Sequence, residues 1–412
     1  MSRIPLLLSL LALALPLQAC AQGSGTPSAQ SKAPAPVQQP APVQPPAPTM
    51  AAAPAAVQAE SAQAAGPKAD PAKPAPQRAA RERPQRTGVA YAGRDDAMNL
   101  AEEIAMRRGL DADWVRRTLG KAQNLAVVSR LMEPAPRGQP KNWRAYRSRF
   151  IDPVRIAAGV RFWQENGRAL ERAESEYGVP AETIVGIIGV ETIYGRNMGD
   201  FRIIDALATL AFDFPESHPR AAERTRYFRG ELEQFLAWHG ANRTDPLRPR
   251  GSYAGAWGLP QFMPTSLAQW GVDYDADKKV DLANSTEDAI GSVASYLKGY
   301  GWNPRMPTHY PVGFDQGRLD LEALLAPDIL PTFTPASFQA KGAVLEGEAQ
   351  EHKGPLALIE LQNGSDAPTY VAGTENFYVI TRYNWSSYYA MAVIELGREV
   401  REAMGRDTAS TR

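Results

Sequence analysis

The chain of 412 residues carries 45 basic and 45 acidic side chains, a single cysteine and 35 prolines. Balanced charge argues against a nucleic-acid surface, and one cysteine excludes a disulfide framework. Beyond the N-terminus no apolar run reaches the roughly 20 residues that a membrane-spanning helix needs. Every aromatic residue follows position 90, and Ala21 to Ala90 contains no Leu, Ile, Phe, Tyr or Trp, so any sizeable core must come from Tyr91 to Arg412.

Arg3 precedes an apolar run from Ile4 to Leu15, too short for a span and of the length of a secretory signal. It ends at Leu17-Gln18-Ala19-Cys20, which resembles the bacterial lipoprotein box, with residues 1–19 as signal peptide and Cys20 as the lipidated N-terminus. Ala21 follows the cysteine rather than Asp, which by the lipoprotein sorting rule predicts the periplasmic face of an outer membrane in a Gram-negative bacterium. Residues 20–90 are dominated by Ala, Pro and Gln, too poor in apolar surface to offset the entropy of ordering, and are predicted to be a disordered tether.

Helical periodicity begins near Asp95, where Met98, Ala101, Ile104 and Ala105 share a face, and Leu110 to Trp114 reads as a fresh helix start with an acidic first turn. Val154 to Tyr177 is a long amphipathic stretch stopped by Gly178 and Val179-Pro180. Between Gly301 and Ala372 the texture changes to short apolar pieces, among them Ala357 to Leu361 and Thr369 to Val371, with Asn363-Gly364 as a turn; this predicts a small antiparallel sheet. Helix returns from Asn384 to Arg401, and no internal repeat is evident.

After Pro180, expected at a first helical position, Ile184, Ile187, Ile188 and Glu191 recur at spacings of three or four, so Glu191 is aimed where the isoleucines are aimed. Ile187 and Gly195 flank it at minus four and plus four, so no local cation compensates it. With Gly195 as the expected C-cap, desolvation and the negative end of the helix dipole both raise its pKa. A carboxyl held protonated near neutral pH suits general-acid attack on a glycosidic oxygen. The competing expectation is a Glu that turns to water or pairs with Arg196. The segment Gly251 to Ser266 concentrates glycine beside polar and aromatic side chains, as a binding loop or a turn-rich connector would.

Together these segments resemble the membrane-bound lytic murein transglycosylase B family, periplasmic lipoproteins with a lysozyme-like core. Its motifs appear as Trp143-Arg144-Ala145-Tyr146, Ile187 to Thr192, Gly255-Ala256-Trp257-Gly258 with Gln261-Phe262-Met263-Pro264, and Ile380 to Asn384. The resemblance implies an α+β, mainly α fold: a helical domain over 91–155, a lysozyme-like catalytic core over 156–300, a small antiparallel β domain over 301–375, and a segment 376–412 returning to the core. It implies Glu191 as sole acid and base, with Ser252, Gln261, Tyr296, Tyr383, Asn384 and Tyr389 lining a glycan cleft that Tyr146 approaches from the helical domain. Trp257 stands where the family has Met, and Glu216 to Arg220 reads as part of an insertion. The implied activity is non-hydrolytic cleavage of the β-1,4 bond between N-acetylmuramic acid and N-acetylglucosamine in peptidoglycan, leaving 1,6-anhydromuramic acid ends. The alternatives are a hydrolytic muramidase and a silent peptidoglycan-binding lipoprotein. Expected partners are glycan strands and, through the lipid, the outer membrane, with no nucleic acid and a monomeric chain.

Asp273, Asp275 and Asp277 alternate, as oxygen ligands do in the first half of an EF-hand loop, with Asp281 following. The second half departs, with Lys278 where Gly is usual and Asn284 where Glu is usual. The family resembled has an atypical calcium loop, whose closing carboxylate would here be Asp288 or Glu287. The expectation is structural calcium, with no cofactor for catalysis; the alternative is a solvated acidic turn.

Overall fold

The computed structural model describes residues 88–134 and 141–410, the side chains of the last helix through residue 405. The signal sequence, Cys20 and nearly all of the predicted tether lie outside the described residues.

Local sequence sets the first elements. Helix α1 (Asp95–Arg108) has acids in its first turn and arginines in its last, complementing the helix dipole, and α2 (Ala112–Gly120) begins where the Asp111 carboxylate accepts from the Trp114 amide at 2.6 Å. With α3 (Ala126–Leu131) they bury Tyr91, Ile104, Val115, Leu119 and Val128. They do not bury these residues alone. The same apolar cluster contains residues of α7 (Ile203–Phe212) and α8 (Ala221–Asn242) together with Tyr253, Ala254, Ala256 and Met263, so residues distant in sequence complete this core.

A second core forms around α6 (Ala181–Thr192), which has ten of its twelve residues buried and so packs on every side. It is flanked by α4 (Trp143–Arg147), α5 (Pro153–Tyr177), α9 (Pro264–Trp270), α10 (Thr286–Gly299), α13 (Glu375–Thr381) and α14 (Ser387–Ser410). Helix α5 starts one residue earlier than the periodicity predicts, because Asp152 caps the amides of Val154 and Arg155. It kinks at Asn166, whose side-chain amide donates to the Phe162 carbonyl at 2.8 Å, and it ends at Gly178 in the left-handed region. Pro180 is the residue before α6 rather than its first turn. Glycines set the approach of α6 to α14: a Cβ on Gly186 would stand 2.2 Å from the Val393 carbonyl oxygen, and one on Gly397 2.1 Å from that of Glu182. That contact fixes the register in which α14 presents its first turn to the end of α6.

The third cluster underlies the predicted β region. Strands β6 (Ala357–Asn363) and β7 (Asp366–Gly373) form a hairpin whose turn is Gly364-Ser365, one residue beyond the expected Asn363-Gly364 because Asn363 still pairs with Asp366, and β3 (His309–Pro311) joins the far side of β7, all antiparallel. Two short antiparallel pairs stand apart from this sheet, the second of them still within the predicted β region. One is β1 (Phe201–Arg202) with β2 (Arg250–Gly251), the other β4 (Gly313–Phe314) with β5 (Ala343–Val344). Helices α11 (Leu321–Leu325) and α12 (Pro335–Ala340) complete this cluster with Leu324 and Phe338 fully buried. Among the described residues no helix is long and apolar enough to cross a membrane.

Candidate functional site

Glu191 lies in the last turn of α6. That helix ends before the expected Gly195, because Ile193 and Tyr194 already adopt positive φ of 52° and 56°. Such a conformation is costly for a β-branched residue, and the surroundings compensate it. The buried Thr192 hydroxyl donates to the Leu259 carbonyl at 2.9 Å and accepts from the Gly195 amide at 3.0 Å. The strained turn therefore ties the helix end to the Gly251–Phe262 loop.

The Glu191 side chain keeps a narrow opening to solvent while protein surrounds the rest of it. Burial pushes its pKa up from 4.5 to about 7, opposed by one hydrogen bond, from the Tyr389 hydroxyl to Oε1 at 2.6 Å. No neighbouring carboxylate contributes to this rise. Its partner is thus a phenol on α14 and not Arg196.

The loop is fastened at two further points. The Tyr383 hydroxyl donates to the Pro260 carbonyl, and Gln261 Nε2 donates to the carbonyls of Gly258 and Met198 at 2.8 and 3.2 Å. Gln261 has a φ of 52°, and its Oε1 is buried with no hydrogen-bond partner, an acceptor aimed inward without a donor. Ser252 begins the loop, buried, its Oγ accepting from the amides of Ala254 and Ala256. Tyr383 lies parallel to Tyr389 at 6.3 Å and 4.8 Å from Tyr296, whose hydroxyl donates to the Arg382 carbonyl at 2.6 Å. Burial lifts all three phenols well above the usual tyrosine range, the Glu191 charge adding to it. Tyr296 is 2% exposed and forms a wall behind Tyr383. Tyr146 packs between Trp143, Phe150 and Tyr388, and its phenol is also raised by burial and by the Glu191 charge. Asn384 is buried in the turn between α13 and α14 and not in the helix expected to begin there.

Met198 and Thr192 act through a backbone carbonyl and a loop tether, roles that carry no side-chain pattern in a sequence. Trp257 is packed between the two cores, its ring 5.6 Å from that of His239 and nearly parallel.

In the acidic loop the carboxylates of Asp273, Asp275 and Asp288 offer oxygens within 4.8 Å of one another. Asp277, expected as a ligand, stands outside this group, and its carboxylate accepts from the Lys279 amide at 2.9 Å. Asp288, and not the exposed Glu287, closes the loop: Oδ1 accepts from Tyr274 and Oδ2 from Asp281. Asp273 Oδ2 accepts from the Lys278 amide, while its Oδ1 is buried without a partner. An orphaned anionic oxygen among three carboxylates fits a hard divalent cation such as calcium.

The profile of the family described as Transglycosylase SLT domain matches residues 93–398. The membrane-bound lytic murein transglycosylase B of Escherichia coli (strain K12) is 39% identical over 329 residues, which cover 76% of this chain and 84% of that protein. The Escherichia coli lytic transglycosylase SLT35 in complex with bulgecin A superposes with a TM-score of 0.68 at 38% identity, covering 77% of this chain and 96% of that one. A calcium complex of the same enzyme gives 0.66 at 37%, covering 77% and 96%. Soluble lytic transglycosylase SltB1 from Pseudomonas aeruginosa gives 0.68 at 38%, covering 75% and 99%.

Proposed function

The chain belongs to the SLT-domain transglycosylase family, and from that premise we propose that Glu191 is its catalytic acid and base, set in a glycan cleft formed by Tyr146, Ser252, Gln261, Tyr296, Tyr383, Asn384 and Tyr389. The protein is a peptidoglycan lytic transglycosylase with a lysozyme-like core.

The protonated carboxyl delivers its proton to the oxygen between N-acetylmuramic acid and N-acetylglucosamine as the C1–O bond breaks. The muramyl acetamido group covers the anomeric carbon. The carboxylate then takes the proton of the muramyl C6 hydroxyl, whose oxygen closes on C1, so a 1,6-anhydro ring forms and no water is consumed. A pKa of about 7 lets one group serve as acid and then as base near neutral pH. The Tyr389 hydroxyl, donating to Oε1, stabilises the carboxylate that exists between the two steps. The observation that supports this reading best is a half-buried, largely desolvated Glu191 with one hydrogen bond, whose raised pKa owes nothing to a second carboxylate. Retaining hydrolases of the two-carboxylate kind place such a group about 5 Å away.

Asp273, Asp275 and Asp288 would hold calcium, which there would bridge the loop to the start of α10 and contribute only rigidity. Attachment through a lipid on Cys20 at the periplasmic face of the outer membrane, a monomeric state, and the division of the folded part at 155, 300 and 375 complete the proposal. The lipid anchor is supported by the N-terminal sequence and by a membrane-bound relative.

Replacing Glu191 by Gln tests the assignment. The amide is nearly isosteric but cannot deliver the proton, so turnover of purified sacculi should fall about a hundred- to ten-thousandfold while sacculus binding persists. Near wild-type turnover would reject it.

A further inference from the structure

Two adjoining cavities lie beside the Glu191 cleft and share Lys141, Asp328, Ile329, Ser387 and Tyr388 as walls. One, of about 220 Å³, continues to Tyr146 and Trp385; the other, of about 150 Å³, continues along β6 to Glu360 and Gln362. Tyr388, which lines both, immediately precedes Tyr389, whose hydroxyl donates to Glu191 Oε1 at 2.6 Å, and the Tyr146 ring meets that of Tyr388 edge-on at 5.6 Å. The groove is therefore an extension of the cleft.

Its outer wall is unusual. Trp385 is 37% exposed, one of few large apolar side chains left open among the described residues. It is nevertheless fixed. The Arg382 guanidinium lies 5.6 Å over the indole, and the Tyr378 ring meets it edge-on at 5.9 Å. Arg382 is itself 5% exposed and also lies over the rings of Tyr300 and Tyr378, so the cation is packed in an aromatic nest that holds the indole in place. An immobilised, solvent-facing tryptophan beside hydroxyl, ammonium and carboxylate groups has the chemistry of a saccharide platform. The apolar C–H face of a pyranose covers the ring, and its hydroxyl and acetamido groups find polar partners at the rim.

We propose that this groove is a further saccharide subsite, in which Trp385 stacks on a sugar of the glycan strand away from the bond being cleaved, with Lys141, Asp328 and Ser387 as hydrogen-bond partners. The proposal rests on the reading of the Glu191 cleft as a glycan cleft. A saccharide is favoured over a stem peptide because the wall nearest the cleft is aromatic and hydroxyl-bearing, and the lining carries one cation, Lys141, against the carboxylates of Asp328 and Glu360, so no concentration of positive charge awaits peptide carboxylates.

The test measures equilibrium binding of glycan strands stripped of peptides by an amidase, and of the same strands with their peptides, in the Glu191→Gln background. Adding Trp385→Ala should weaken binding of both strand types roughly tenfold, and Trp385→Phe should recover part of the loss. Unchanged affinity for the peptide-free strands would overturn the proposal, including the case in which only peptide-bearing strands bind less well and the groove takes the stem peptide. Trp385→Phe keeps an aromatic ring on the Arg382 nest and so separates lost stacking from lost folding. If the Glu191→Gln protein itself bound no strands, the reading of the cleft would fail; if it bound them and Trp385 were indifferent, only the subsite would.

Discussion

Glu191→Gln should stabilise the protein, and by an amount that depends on pH. Folding raises the Glu191 pKa from 4.5 to about 7, so the native state binds this proton more tightly than the unfolded chain does. The sign follows directly. Below about pH 4.5 the group is protonated in both states and costs nothing; as pH rises towards 7 the unfolded chain releases the proton first, and native stability falls until the folded group ionises too. A tenfold change in proton affinity corresponds to about 1.4 kcal/mol, which makes the full cost at most about 3.5 kcal/mol, reached above about pH 7. The glutamine variant escapes this cost and can still accept from the Tyr389 hydroxyl. Urea unfolding of both proteins at about pH 5 and about pH 8 reads the difference: the variant should gain roughly 2 kcal/mol on the wild type between the two. A difference independent of pH, or a variant less stable than wild type at the higher pH, would refute a carboxyl held protonated by burial.

The remaining expectations concern the phenol, the loop and the anchor. Tyr389→Phe removes the one hydrogen bond that lowers the Glu191 pKa, so the basic limb of kcat/KM should move to higher pH while the rate falls; an unmoved limb would separate Tyr389 from the acid. Calcium should raise the melting temperature and chelator lower it, a response that Asp273→Asn with Asp288→Asn abolishes and Asp277→Asn spares; a wild type indifferent to calcium would remove the metal. Cys20→Ser should leave the protein in the soluble fraction of cell extracts with its activity intact, and continued sedimentation with membranes would point to another anchor.

Much of this site is legible in the sequence because its chemistry is tied to periodicity. Glu191 on the isoleucine face of an apolar helix already implies a desolvated acid, and the structure gives it a raised pKa for that reason. The end of that helix was not legible. Gly195 is the obvious stop, yet the chain turns at Ile193 because Thr192 and Leu259 compensate a left-handed residue from a distance of 67 positions. Helix α7 is hidden for another cause: it is apolar nearly all round and shows no amphipathic stripe, being buried between α1–α3 and the Tyr253 segment. The acidic loop reads as an EF-hand start through three alternating aspartates, but which of them converge depends on local turns, and Asp277 turns to Lys279 instead. Trp385 gave no signal of its own, since its fixed exposure depends on the ring of aromatics around Arg382.

The central claim is that Glu191 acts twice and water does not act at all. Digestion of purified sacculi in oxygen-18 water, followed by mass spectrometry of the released muropeptides, tests this most directly. The released products should be 1,6-anhydromuropeptides without the heavy isotope; reducing-end muramic acid carrying oxygen-18 would show that water attacks the anomeric carbon and that the enzyme hydrolyses.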